Sequence, residues 1–211
     1  MPYEAVLLTP DLIESKPDIL SGIARVHASC ILIDGTLATF LPPLNPEVLT
    51  KWWTACWKEV QRNERYIVIV LADASDSNTN ASLATAPDPA INALPTTIAG
   101  VVSLAIPFSE TGPFRGTVEK LLVSPSHRRL GLARTLMAKR ECVAMEQGKT
   151  MLTLGTTEGT PAEHVYPQLG YRRVGVVERN GIHPLSGELI GEVLFWKDLN
   201  VHERIMVKAR E

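Results

Sequence analysis

The residues best suited to do chemistry stand together at one place in the chain: Val123-Ser124-Pro125-Ser126-His127-Arg128-Arg129-Leu130-Gly131-Leu132-Ala133. A β-branched apolar run ends there, a proline turns the chain, and small residues open a helix. The first N–H groups of a helix have no partner within it, and with the helix dipole they cradle an anion. Gly131 lets the main chain come close to such a guest, and Ala133 is too small to crowd it. From His127 to Arg140 the chain carries five Lys or Arg and no acid. A diphosphate is the natural guest for that concentration of positive charge.

Other phosphate motifs fail. Gly148-Lys149-Thr150 imitates the end of a P-loop, but position 143 is Val where a glycine is required, and no G-x-G-x-x-G occurs. Cys30, Cys56 and Cys142 have no metal-ligand spacing, so no metal is expected. The formal net charge of −2 excludes a globally basic nucleic-acid binder, and the basic cluster has no interleaved aromatics. No apolar run is long enough to span a membrane. Met1-Pro2-Tyr3-Glu4 lacks the regions of a secretory signal, so a cytoplasmic location with reduced thiols is expected.

Which elements position the turn? With 45% apolar and 21% charged residues, the 211-residue chain reads as one domain over 1–211. Residues 3–8 read as an edge strand before Thr9-Pro10. Pro17 suits a first helical turn, and Ile19, Leu20, Ile23, Val26, His27, Cys30 and Ile31 follow at helical spacing up to Gly35. Asn45-Pro46 reads as a cap and first position for a helix whose stripe includes Leu49, Trp52, Trp53, Cys56, Trp57 and Val60. Residues 66–72, 98–106, 117–123, 151–154, 171–177 and 189–196 read as strands. Residues 129–147 read as a helix stopped by Gly148, with Arg140 breaking its apolar stripe; residues 161–169 read as a short helix ended by Gly170. Residues 73–97, rich in Ser, Asn, Ala, Thr and Pro, read as a flexible inserted loop, and 200–211 as a tail. The pattern is mixed α/β around one sheet.

Two motifs in this order carry a resemblance. Arg128-x-x-Gly131-x-Ala133, after Leu121-x-Val123-x-Pro125, resembles the acetyl-CoA pyrophosphate loop of the GNAT superfamily of N-acetyltransferases. Glu163-His164-Val165-Tyr166-Pro167-Gln168-Leu169-Gly170-Tyr171 resembles its second signature, a helix tyrosine followed by Gly-aromatic. The likeness covers residues 98–199 well. Within residues 118–171 it is nearest the tabtoxin-resistance type of small-molecule acetyltransferase.

The resemblance implies an α/β (α+β) fold with a mostly antiparallel sheet of about six or seven strands and about four helices. It implies acetyl-CoA as co-substrate, held by main-chain amides at Arg129, Leu130, Gly131, Leu132, Ala133 and Arg134, with Arg128 fixing the loop. Leu121, Leu122 and Val123 would meet the pantetheine arm, and the Val123 amide would face the thioester carbonyl. Tyr166 would be the general acid that protonates the departing thiolate. Residues 117, 119, 121 and 123 alternate onto one face, which lets Glu119 act as base through a water or serve as a salt-bridged carboxylate. Thr117 and Gly155 stand where relatives carry acids. His164 reads as a surface residue, and His183 as within reach of the acceptor. Trp52, Trp53 and Trp57 stand where relatives wall the acceptor pocket, with core packing the plainer reading. The implied activity is direct acetyl transfer to a small-molecule amine, with a homodimer among the assemblies the family uses. A protein or peptide N-acetyltransferase and a non-catalytic acyl-CoA-binding module are the alternatives.

Overall fold

A computed structural model describes residues 3–72 and 88–200. Seven strands form one sheet in the order β1-β2-β3-β4-β5-β7-β6: β1 (Ala5–Leu7), β2 (Arg65–Leu71), β3 (Ile98–Ala105), β4 (Arg115–Val123), β5 (Met151–Thr157), β6 (Arg172–Ile182) and β7 (Leu189–Asp198). Neighbours run antiparallel except β4 and β5, which are parallel. The expected mixed, mostly antiparallel sheet is what the chain forms.

The central strands are buried on both faces. In β2, Ile67 and Ile69 pack toward α2 (Ile19–Asp34) and α3 (Pro46–Gln61), and Val68 and Val70 toward α5 (Leu132–Glu146). This accounts for the unbroken apolar run in place of an alternating one. α6 (Ala162–Gln168) lies on the α5 side, where Tyr166 joins the same cluster.

Local chemistry sets the helix ends. Asn45 Oδ1 accepts from Glu47 N (2.8 Å) and Val48 N (3.2 Å), with Pro46 at the first helical position. Two short helices raise the count from the expected four to six. α1 (Pro10–Ser15) is capped by the Thr9 hydroxyl, and α4 (Pro89–Asn92) by Asp88. α4 falls within 73–97, the segment expected as a flexible loop. Ile91 is fully buried, and Arg25 Nη1 donates to the carbonyls of Ile91 (3.1 Å) and Leu94 (2.8 Å). Residues 73–87 and the tail beyond residue 200 lie outside the described residues.

Candidate active site

β4 and β5 pair only from Arg115↔Met151 to Val118↔Leu154. Beyond that register β4 continues to Val123 and β5 to Thr157 without pairing to each other. The sheet therefore splits in its middle, and the split opens toward the turn after β4. Ser124 N donates to Ala99 O of β3 (2.9 Å). Strand amides alternate between edges, so the Val123 N–H faces away from β3, into the split.

A bulge lies just upstream. Val101 pairs with Leu122, but Ser103 pairs with Glu119, so β4 carries one extra residue there. Lys120, with φ +54°, is that residue. It breaks the alternation expected across 117–123. Leu121 and Val123 pack on the α5 side, whereas Glu119 faces the α3 side, where its Oε2 accepts from Arg65 Nη1 (2.7 Å). The same Arg65 binds Glu59 of α3 through Nε (2.7 Å). Glu119 is therefore not on the Val123 face; it is a salt-bridged carboxylate. Leu122 also departs from expectation: its buried side chain packs in the α2–α3 cluster, away from Leu121 and Val123.

The turn after β4 is a 3₁₀ turn, Pro125–His127, followed by two left-handed residues, Arg129 (φ +62°) and Gly131 (φ +78°). These φ values cannot belong to an α-helix, so α5 starts at Leu132 and not near residue 129. No side chain caps α5. Thr135 N donates to Gly131 O (3.2 Å), and the N–H groups of residues 131–134 have no acceptor among the described residues. A Cβ added at Gly131 would meet nothing within 4 Å and would point into open space. A cavity of about 270 Å³ faces these amides, lined by Val123, Arg128, Arg129, Gly131, Ala133 and Arg134 and closed by Val165, Gln168 and Leu169 of the α6 region. Leu132 is buried beneath it, and Leu130 projects outward, half-exposed. Arg128 does not point freely at the cavity. It forms a two-pronged ion pair with Asp34, the last residue of α2, with Nη1 2.7 Å from Oδ1. Four free donors, two left-handed residues and a basic lining make a fitted site for a diphosphate.

Tyr166 is buried, its ring 6.0 Å from that of Tyr171 and 5.5 Å from that of Phe195. Its hydroxyl has no hydrogen-bond partner among the described residues. Burial pushes its pKa up to about 12, with the Arg140 charge working against the rise. Arg140 is wholly buried, and its guanidinium donates to the Tyr171 hydroxyl. The break in the α5 stripe is thus an inward-facing cation, read through a residue 31 positions away.

On the opposite face, two carboxylates flank the mouth of the split. Glu119 is the first β4 residue past the last β4–β5 pair, and Gly155 is the first on β5. The space a side chain at Gly155 would take is filled by the carboxylate of Glu192 of β7. Asn180 Nδ2 donates to Glu192 Oε2 (2.9 Å). Glu192 was not singled out by sequence, although a glycine inside a strand signals a close approach. Trp53 is fully buried; its Nε1 donates to His27 Nδ1 (3.2 Å), so His27 Nε2 carries the proton donated to Ala38 O (2.7 Å). Burial pushes His27 down to about 4. Trp57 is also core, while Trp52 stays half-buried with Lys120 Nζ 5.5 Å from its ring centre. His183 sits against Gly35, and His164 is exposed. No described helix is long and apolar enough to cross a membrane.

The sequence matches the model of the acetyltransferase (GNAT) family over residues 47–171. Several solved structures share the fold. The protein yncA of Salmonella typhimurium, solved with its cofactor acetyl-CoA, is 13% identical, with 94% of this chain and 95% of that chain covered and a TM-score of 0.63. A ribosomal-protein-alanine N-acetyltransferase from Brucella melitensis is 16% identical over 92% of this chain and 99% of its own, at 0.63. A protein assigned as a phosphinothricin N-acetyltransferase is 13% identical over 93% and 99%, at 0.65.

Proposed function

This chain belongs to the GNAT family of acetyltransferases, and from that premise we propose that it moves an acetyl group from acetyl-CoA directly to the amine of a small molecule. The observation that carries the reading is the row of unpartnered amides at residues 131–134, facing a basic cavity at the end of a split strand pair. The amides of Arg129, Leu130, Gly131, Leu132, Ala133 and Arg134 hold the pyrophosphate, and the unpaired edge of β4 at Leu121 and Val123 receives the pantetheine arm. The whole chain, 1–211, serves as one N-acetyltransferase domain.

Val123 N–H donates to the thioester oxygen as negative charge grows there; a donor of this kind is commonly worth about 3 kcal/mol. The amine nitrogen bonds to the carbonyl carbon. The carbon–sulfur bond then breaks, and Tyr166 gives its proton to the leaving thiolate. The burial that raises the phenol raises a thiolate forming beside it as well, so the transfer stays within reach. Glu192 takes the proton from the new ammonium; Glu119, engaged by Arg65, fixes the bulge instead. No Cys–His or Ser–His nucleophile pair is needed for direct attack.

A small acceptor is favoured because Trp53 and Trp57 of α3 are packed into the core and Trp52 stays half-buried beside the split. The resemblance of 118–171 to the tabtoxin-resistance type supports the same class. Thiol release from acetyl-CoA against a panel of small amines and short peptides tests this. Release with small amines alone is expected. Release with peptides alone would transfer the assignment to a protein acetyltransferase, and tight binding with no release to a non-catalytic module.

A further inference from the structure

Two side chains of α2, Cys30 and Asp34, reach the two ends of the turn that faces the cavity. They are four residues apart and so share a helix face. The Cys30 thiol donates to the carbonyl of Val123 (3.5 Å), at the end of β4. Burial pushes Cys30 up to about 12, which keeps it a thiol and hence a donor. Asp34 grips Arg128 with both carboxylate oxygens. An acid at a helix C-terminus faces the negative end of the dipole and is disfavoured there, so its place is explained by its partner and not by α2. The pair is about one-third exposed on each side (38% and 32%), a setting in which ion pairs add little stability. A bidentate Arg–carboxylate contact does, however, fix orientation.

We propose that Asp34 is a positioning residue for acetyl-CoA: by holding Arg128 it sets the left-handed turn at Arg129 and Gly131, and so aims the free amides of residues 131–134. Arg128 then acts as an anchor of the loop and not as a phosphate ligand. The proposal rests on the acetyl-CoA reading above. It extends the site to α2, which no local motif marks.

Calorimetric titration of acetyl-CoA into wild type, Asp34→Asn, Arg128→Gln and the double variant tests it, with Gly131→Glu as reference. Each single change is expected to weaken binding about tenfold, the double no more than either single, and Asp34→Glu to retain most of the affinity. Melting temperatures should stay close to wild type. Unchanged or tighter binding by Asp34→Asn, with loss in Arg128→Gln, would return Arg128 to the phosphates and overturn the proposal. So would a fall in melting temperature with affinity unmoved, or losses that add in the double. If wild type does not bind acetyl-CoA, or Gly131→Glu binds as well as wild type, the acetyl-CoA reading itself fails, and the clamp with it.

Discussion

The two faces of the sheet are built differently. On the α5 face the groups that would hold the co-substrate are main-chain amides, released by two left-handed residues and an uncapped helix start within one short turn, with Tyr166 the one side chain given a chemical role there. On the α2–α3 face, order comes from side chains that meet across long stretches of sequence: Trp53 on His27, Arg65 between Glu59 and Glu119, and Glu192 over Gly155. Backbone chemistry tolerates wide sequence change but not a change of φ. Side-chain networks tolerate backbone drift but not the loss of a partner. The first face is therefore suited to a co-substrate common to many enzymes, and the second to an acceptor peculiar to one.

Substitutions should separate the faces, some altering binding or turnover and others stability. The largest effect is expected from Gly131→Glu. It places a side chain at φ +78° and a carboxylate in the anion site, and acetyl-CoA affinity should fall by about a hundredfold or more in a titration. Tyr166→Phe should lower kcat by about a hundredfold while leaving the acetyl-CoA Kd nearly unchanged. Equal loss in both would make Tyr166 a packing residue. On the other face, Trp53→Ala should cost about 3–5 kcal/mol in a urea titration, since it empties a fully buried site and orphans His27 Nδ1. The acetyl-CoA Kd of the protein that remains folded should hold. If it moved as well, the faces would be coupled.

The smallest effect is one of pH. His27 is held neutral, its pKa depressed from 6.5 to about 4. In the unfolded chain it binds a proton at higher pH than in the native one. Its contribution to stability is therefore complete above about pH 6.5 and is lost as pH falls toward 4. From this residue alone, stability should drop by about 2 kcal/mol between pH 7 and pH 5, read as a shift in urea midpoint. A flat profile over that range would mean that His27 titrates alike in the native and the unfolded chain.

The same contrast explains what could be read from the chain. Asn45-Pro46, Gly148 and Gly170 act on their immediate neighbours, and each marks the end of a helix. The bulge at Lys120 has no local mark, because lysine does not favour a positive φ; it is set by the pairing of β4 with β3. With it went the expectation that Glu119 and Val123 share a face. α1 and α4 are too short for periodicity to register. The Asp34–Arg128 contact joins residues 94 apart, and Arg140 finds its partner 31 residues away, so neither can be inferred from spacing.

The most direct measurement is a crystal structure with acetyl-CoA bound. Pyrophosphate oxygens should lie about 3 Å from the amides of residues 131–134, with the thioester oxygen on Val123 N. A coenzyme seated elsewhere, with those amides facing only water, would contradict it.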